Sequence, residues 1–100
     1  MHSQKQILDF IRENKVVLRE RFHISKIGIF GSFARKEQSA NSDIDLIVEF
    51  EENTVNLFDI KIEVRNFFKE KFNLDVDICR EKYIKSHYKK RILNEAIYVD

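Results

Sequence analysis

Two aspartates, Asp43 and Asp45, are the residues of this sequence whose type and spacing most directly indicate chemistry. They begin a segment, Asp43 to Phe50, whose alternation of polar and apolar residues is typical of a half-buried strand. Side chains two positions apart on a strand share a face, and their backbones are roughly 6.5–7 Å apart. That spacing lets both carboxylates reach a pair of divalent ions about 3.5–4 Å apart. Because like charges on one face are costly without a neutralising cation, the sequence predicts a metal site here.

A second feature, the Gly31-Ser32 corner, has the properties of an anion site. The short apolar run from Ile27 to Phe30 predicts a buried strand, with bounds Ile24 to Phe30, and residues 32–37 have the composition of a short helix. The N–H groups at a helix start attract anions. Gly31 permits close backbone approach, and the Ser32 hydroxyl is a further donor. An anion site and a dication site one connection apart indicate a site for a metal–nucleoside triphosphate complex.

Together these features form a motif, Gly31-Ser32, ten residues, then Asp43-x-Asp45. The motif resembles the signature of the polymerase-β-like nucleotidyltransferase superfamily. The sequence GSFARKE…SDIDLIV is most similar to its smallest members, the minimal nucleotidyltransferases, many of which are antitoxins encoded beside a HEPN-domain ribonuclease toxin. The resemblance continues in three later segments: LFD at 57–59, VDI at 76–78 and ILNEAIY at 92–98.

The resemblance implies that three aspartates, Asp43, Asp45 and Asp77, are the catalytic carboxylates and the ligands of two Mg²⁺ ions. Asp77 is included because the family's third carboxylate lies in a Val-Asp-aliphatic strand, which residues 73–79 match. In two-metal chemistry one ion activates the attacking oxygen and the other holds the phosphates. Asp45 and Asp77 are expected nearest the ion that activates the acceptor hydroxyl. Whether Asp77 is a ligand, the base that accepts the proton, or both is left open.

The resemblance also implies attack at the α-phosphate of ATP with pyrophosphate leaving, so Gly31 and Ser32 are expected to hold the β- and γ-phosphates. Ser32 can at the same time be a plain helix N-cap. For Arg35, a phosphate contact and an exposed helix position are equally open. Lys36 stands where minimal nucleotidyltransferases usually have glycine. Because lysine prefers ordinary helical geometry, the turn after this helix is expected to be displaced.

For the acceptor, the resemblance implies transfer of AMP from ATP to a tyrosine of a HEPN-type toxin encoded by an adjacent gene. The chain would then be the antitoxin of a type VII-like toxin–antitoxin pair. Two alternatives stay open: a module that masks its partner by contact without catalysis, and an enzyme acting on a small hydroxylated metabolite, an antibiotic or an RNA end. A homodimer and a hetero-oligomer with the toxin are both open.

Composition favours a single domain, residues 1–100, located in the cytoplasm. Lys and Arg number 18 against 17 Asp and Glu, a balance that argues against a protein dedicated to coating nucleic acid. No apolar run is long enough to span a membrane, and the first residues lack the apolar core of a signal peptide. The single cysteine, Cys79, excludes an internal disulfide.

The remaining elements follow from hydrophobic spacing. A capping box at Ser3 and Gln6 opens an amphipathic helix that is predicted to end near Phe22, and His23 is predicted to be a surface loop residue. A second helix is predicted over residues 57–72 with Asn56 as its N-cap, and the strand over residues 73–79 follows, with Asp75 solvated. A basic stretch, a short helix and an edge strand at 96–99 close the chain. The expected fold is α/β (α+β mixed): a small mixed β-sheet of three to four strands, with helices packed on one face and the metal cleft on the other.

Overall fold

The structure, a computed structural model, describes all residues from Met1 to Asp100. Five helices and four strands alternate along the chain. In chain order they are α1 (Gln4–Glu13), α2 (Lys15–Phe22), β1 (Ile24–Phe30), α3 (Gly31–Arg35), β2 (Ile44–Phe50), α4 (Leu57–Phe72), β3 (Val76–Arg80), a 3-10 turn (Glu81–Tyr83), α5 (Ser86–Glu95) and β4 (Ile97–Val99).

The four strands form one mixed sheet in the order β3-β2-β1-β4. β1 pairs antiparallel with both β2 and β4, whereas β2 and β3 are parallel. A parallel pair needs a crossover connection, and α4 supplies it between β2 and β3. The mixed sheet, the helices and the single core confirm the predicted fold class.

One hydrophobic cluster joins the sheet to α1, α2 and α4. The helices contribute a stripe of apolar residues at spacings of three and four, as expected for amphipathic helices packed on a sheet. The predicted face of α4 lies in this contact: Ile60, Val64, Phe68 and Phe72 are buried, and Leu57 and Phe67 pack against the cluster. From the centre of the sheet, alternate residues of β1 and β2 join the cluster: Ile27, Ile29, Ile44, Leu46 and Val48.

The prediction of one helix up to Phe22 was wrong, because the helix breaks at Asn14. The Asn14 backbone, at φ −111° and ψ 17°, ends α1 and starts α2. Its side-chain Nδ2 donates to the carbonyl oxygen of Phe10 at 2.8 Å, a local bond that competes with continued helix. Leu18 and Phe22 remain buried after the break, so apolar spacing alone does not reveal it.

Helix caps were predicted with mixed success. The capping box forms: the Ser3 side chain accepts from the Gln6 N–H and the Gln6 side chain accepts from the Ser3 N–H. Asn56 does precede α4, but it has a left-handed backbone with φ 60° and makes no side-chain capping bond. Asparagine is one of the few residues other than glycine that adopt this conformation readily.

The connection from β3 to β4 crosses the sheet, because these two strands are its opposite edges. The 3-10 turn and α5 make this crossing, and the last residue of α5, Glu95, reaches the start of α3. None of the helices combines the length and the apolar character needed to cross a membrane.

Candidate active site

The Gly31 corner and Asp45 are in direct contact. β1 and β2 pair so that Phe30 lies opposite Asp45, and Gly31 follows with φ +72°, a conformation that favours glycine. A Cβ atom on Gly31 would overlap with the Asp45 Oδ2 atom. Gly31 is therefore required for two reasons, its backbone conformation and the close approach of the Asp45 carboxylate.

Asp45 and Asp77 are adjacent across the parallel strands β2 and β3, where the register pairs them directly. Asp45 is half-buried and Asp77 is exposed. The pKa of Asp45 is raised to about 6, first by burial and then by the negative charges of Asp77 and Asp43, whereas the charge of Arg35 lowers it. A carboxylate with this pKa is destabilised in its ionised form by its surroundings, so a cation bound beside it would be strongly favoured.

Asp43 lies one residue before β2, which begins at Ile44, so the predicted strand was one residue too long at this end. Ile44 donates its N–H to the carbonyl oxygen of Asp75 at 2.9 Å, which places Asp43 beside the residues that lead into β3. Asp75 is exposed, as predicted, and pairs with Lys69 at 3.3 Å. Its charge therefore has its own cationic partner outside the Asp45–Asp77 pair.

Helix α3 is fixed in place by contacts with the hydrophobic core and with α1. Phe33 is almost completely buried in the core, and the Gln4 side chain of α1 donates to the carbonyl oxygens of Phe33 and Ala34 at 3.2 and 3.0 Å. Ser32, half-buried, follows Gly31 in the first turn. The first N–H groups of a helix have no intrahelical acceptor, so that of Ser32 is oriented toward whatever lies before the helix.

The predicted turn displacement at Lys36 does not occur. α3 ends at Arg35, two residues earlier than predicted, and Lys36 has the left-handed backbone, φ 58°, that a glycine would adopt there. The Lys36 N–H donates to the Phe33 carbonyl oxygen at 3.3 Å, which closes the helix. The lysine thus keeps the glycine-type turn at the expense of backbone strain.

Glu95 is the residue of this site to which sequence reasoning assigned no role. Its Oε2 atom accepts a hydrogen bond from the Gly31 N–H at 2.6 Å, and both of its oxygens accept from Arg35 Nη1, at 3.1 and 3.2 Å. Arg35 also donates from Nε to Glu37 at 2.7 Å. Arg35 is thus an exposed helix residue that is paired with two carboxylates, and these contacts raise the pKa of its guanidinium, Glu37 more than Glu95.

The carboxylates fit Mg²⁺ only in combination with a substrate. Asp43, Asp45 and Asp77 do not come close enough to form a three-residue cage for one ion. Mg²⁺ usually binds through one or two carboxylates together with substrate phosphates and waters, and seldom in a cage made of protein alone. A half-buried Asp45 beside an exposed Asp77 provides such a partial set.

Comparison with known proteins agrees with this geometry. Residues 11–99 match the family model described as a nucleotidyltransferase domain. The chain belongs to this family. Its enzyme class, nucleotidyl transfer, and the resemblance to minimal nucleotidyltransferases of the polymerase-β-like superfamily are thereby confirmed, whereas the roles of the individual site residues stay predictions.

Relatives of similar length match nearly all of this nucleotidyltransferase. Protein adenylyltransferase MntA of Thermococcus cleftensis is 35% identical over 99 residues, which are 99% of this chain and 98% of the relative. A Methanocaldococcus jannaschii protein named "Putative protein adenylyltransferase" is 36% identical over 100 residues, 99% of this chain and all of the relative.

Solved structures show the same fold. One described as a "putative minimal nucleotidyltransferase" superposes with a TM-score of 0.75 at 28% identity, covering 96% of this chain and 95% of that one. A toxin–antitoxin structure with AMP-PNP gives a TM-score of 0.64 at 20% identity, covering 97% of this chain and 72% of that one.

Proposed function

We propose that this nucleotidyltransferase is Mg²⁺-dependent and transfers AMP from ATP to a hydroxyl group, a tyrosine, of a HEPN-type toxin that it silences. The observation that carries the proposal is the contact of Asp45 with the Gly31 corner on one side and its alignment with Asp77 on the other. This arrangement joins a carboxylate pair for a dication to a helix start for phosphates, which is what a metal–nucleotide complex requires.

Each residue has a part in this reaction. Asp45 and Asp77, with Asp43 beside them, would hold Mg²⁺, which when bound activates the attacking oxygen and neutralises the phosphates. Gly31 and Ser32 would hold the β- and γ-phosphates, Gly31 by allowing close backbone approach and Ser32 through its N–H and hydroxyl donors, and Arg35 would add positive charge. The acceptor oxygen forms a bond to the α-phosphorus while the bond to pyrophosphate breaks. Asp77, the exposed member of the pair, would also accept the hydroxyl proton.

The choice of a protein acceptor rests on the relatives and on the shape of the site. Two relatives are named as protein adenylyltransferases, and a toxin–antitoxin structure with AMP-PNP shares the fold. The site is formed at the surface by the exposed Asp77 and by a short helix. A tyrosine carried on the surface of a partner can reach such a site. The partner we expect is the toxin encoded by the adjacent gene.

The test is label transfer from α-labelled ATP in the presence of Mg²⁺, with the product of the adjacent gene as acceptor. Labelled partner is expected with the wild-type protein and none with an Asp43→Asn, Asp45→Asn double variant. Asp75→Asn is the matched control, since Asp75 lies close by but pairs with Lys69, and it should label as the wild type does.

Two results would contradict the proposal. Absence of label, together with neutralisation that survives in the double variant, would mean that the chain masks its partner by contact. Label found only on a small metabolite, an antibiotic or an RNA end would keep the reaction and replace the acceptor.

A further inference from the structure

We infer that Glu95 is a positioning residue for the nucleotide: it fixes the Gly31 corner and aims the Arg35 guanidinium at the triphosphate. This inference rests on the proposed function, because it concerns how the same site receives phosphates. Glu95, near the C-terminus, would be a fourth carboxylate of the site, and its role would be to orient hydrogen-bond donors and not to bind metal.

Gly31 is held between two carboxylates. Asp45 lies against its Cα atom, and Glu95 accepts its N–H at 2.6 Å. A glycine at φ +72° has no side chain to fix its orientation. The two contacts therefore set the direction in which the chain enters α3, and with it the direction of the Ser32 N–H and hydroxyl.

The Arg35 guanidinium has one nitrogen that is not used by a protein acceptor. Of its five N–H donors, Nε is used by Glu37 and Nη1 by Glu95, whereas Nη2 donates to no protein group. A guanidinium is a planar fork, so fixing two of its nitrogens fixes the plane and the direction of the third. Glu95 thus leaves one pair of N–H donors, with a defined direction, available to a phosphate.

The position of Glu95 in the fold suits it to fix the Gly31 N–H and the Arg35 guanidinium. It is the last residue of α5 and its side chain is only 16% exposed. Ala96 then leads into β4, which pairs with β1 directly before the Gly31 corner. The pairing of β4 with β1 therefore anchors Glu95 beside the end of β1. This backbone pairing sets the distance between the Gly31 N–H and the Glu95 carboxylate.

Glu37 provides a matched control. It contacts the same guanidinium through Nε, but it is exposed and does not touch Gly31. If Arg35 needed only a neutralising carboxylate, replacing either glutamate would have the same effect. If Glu95 positions the corner, only its replacement will matter.

The experiment compares Glu95→Gln and Glu37→Gln with wild type. The first readout is the Kd for a non-reactive α,β-methylene analogue of ATP with Mg²⁺, and the second is the KM and kcat of label transfer. We expect Glu95→Gln to raise both Kd and KM by about tenfold, the loss typical of a charge-assisted hydrogen bond. The kcat should change by less than about threefold, because the phosphates are held similarly in ground and transition states. Glu37→Gln should change Kd by less than about twofold.

Coupling to Arg35 completes the test. In an Arg35→Ala background, Glu95→Gln should have much less than its tenfold effect, since its target has been removed. The inference is overturned if Glu95→Gln binds the analogue as wild type does, or more tightly, as would occur if the carboxylate competed with phosphate. It is also overturned if Glu95→Gln lowers the Tm while Kd and KM are unchanged, which would mark a purely structural residue.

These outcomes separate the inference from the proposed function. If wild type transfers no label but binds the analogue, the reaction assigned to the site is wrong and the role of Glu95 is still decided by Kd. If wild type does not bind the analogue at all, both are refuted.

Discussion

Replacing Asp45 with Asn is expected to stabilise the metal-free protein at neutral pH while abolishing nucleotidyl transfer. The pKa of Asp45 is raised from 3.8 to about 6, first by burial and then by the charges of Asp77 and Asp43. An acid whose pKa is higher in the folded state costs folding free energy once it ionises. Asn has nearly the same shape, so it keeps the contact with Gly31 and carries no charge.

The size of the gain follows from the pKa difference. About 2 pH units correspond to about 3 kcal/mol if the ionised form carries the whole cost. Asp45 is only half-buried, and solvent screening reduces this to about 1.5 kcal/mol. For a domain of 100 residues, that is a rise in Tm of roughly 6–12 °C. In the wild type, the free-energy cost of ionising Asp45 in the folded state appears as the pH rises from about 4 to about 6 and is complete above that range. The extra stability of Asp45→Asn should therefore be full near pH 8 and absent near pH 4.

The assay is urea unfolding of wild type and Asp45→Asn at both pH values, in the presence of EDTA, with Asp75→Asn as control. The control should shift stability little at either pH, because Asp75 is exposed. Added Mg²⁺ with nucleotide should then stabilise wild type more than the variant. A variant that is less stable than wild type near pH 8, or a gain of equal size at both pH values, would refute the reasoning.

Three further predictions concern the backbone and the carboxylates. Gly31→Ala should lower the free energy of unfolding, measured by urea unfolding, by about 1–2 kcal/mol, because alanine is strained in the left-handed backbone of this position. It should also abolish label transfer in the transfer assay, because the new Cβ atom displaces the Asp45 carboxylate. Lys36→Gly should raise the free energy of unfolding by up to about 1 kcal/mol, because glycine adopts the left-handed backbone at φ 58° without strain. Thermal unfolding measures this change, and a loss of stability would contradict it. Asp77→Asn should reduce kcat by at least about a hundredfold, whereas Asp75→Asn should leave kcat within about twofold; equal effects of the two would show that the third carboxylate is misassigned.

Much of the fold could be predicted because its signals are local. The apolar run of β1 and the aromatic stripe of α4 gave strand and helix bounds that the structure reproduces. The break at Asn14 was missed because the apolar spacing continues through it; the feature that accompanies it is the bond from the Asn14 side chain to the Phe10 carbonyl oxygen.

In the active site, too, contacts within one local unit could be predicted from the sequence and contacts between distant segments could not. The contact of Gly31 with Asp45 lies within one strand–helix–strand unit, so the spacing of the motif indicated it. Glu95 could not be found by spacing, since it reaches Gly31 across 64 positions of the chain. Nothing in a glutamate at the end of a short helix indicates such a partner. Knowledge that β4 pairs with β1 was required, and a three-residue strand gives too weak a pattern to predict its neighbour.

The sheet order also has a consequence for how the protein is made. β1 is an inner strand whose second neighbour, β4, is synthesised about 70 residues later. Until then β1 and β2 can pair, but the far side of β1 is an open apolar edge, a template for pairing with other chains. Contacts between distant segments also form slowly. A nascent chain therefore has Asp43 and Asp45 early, whereas Asp77 and the Glu95 contact that fixes the Gly31 corner come late, so it should have no complete active site until residues through Val99 have left the ribosome.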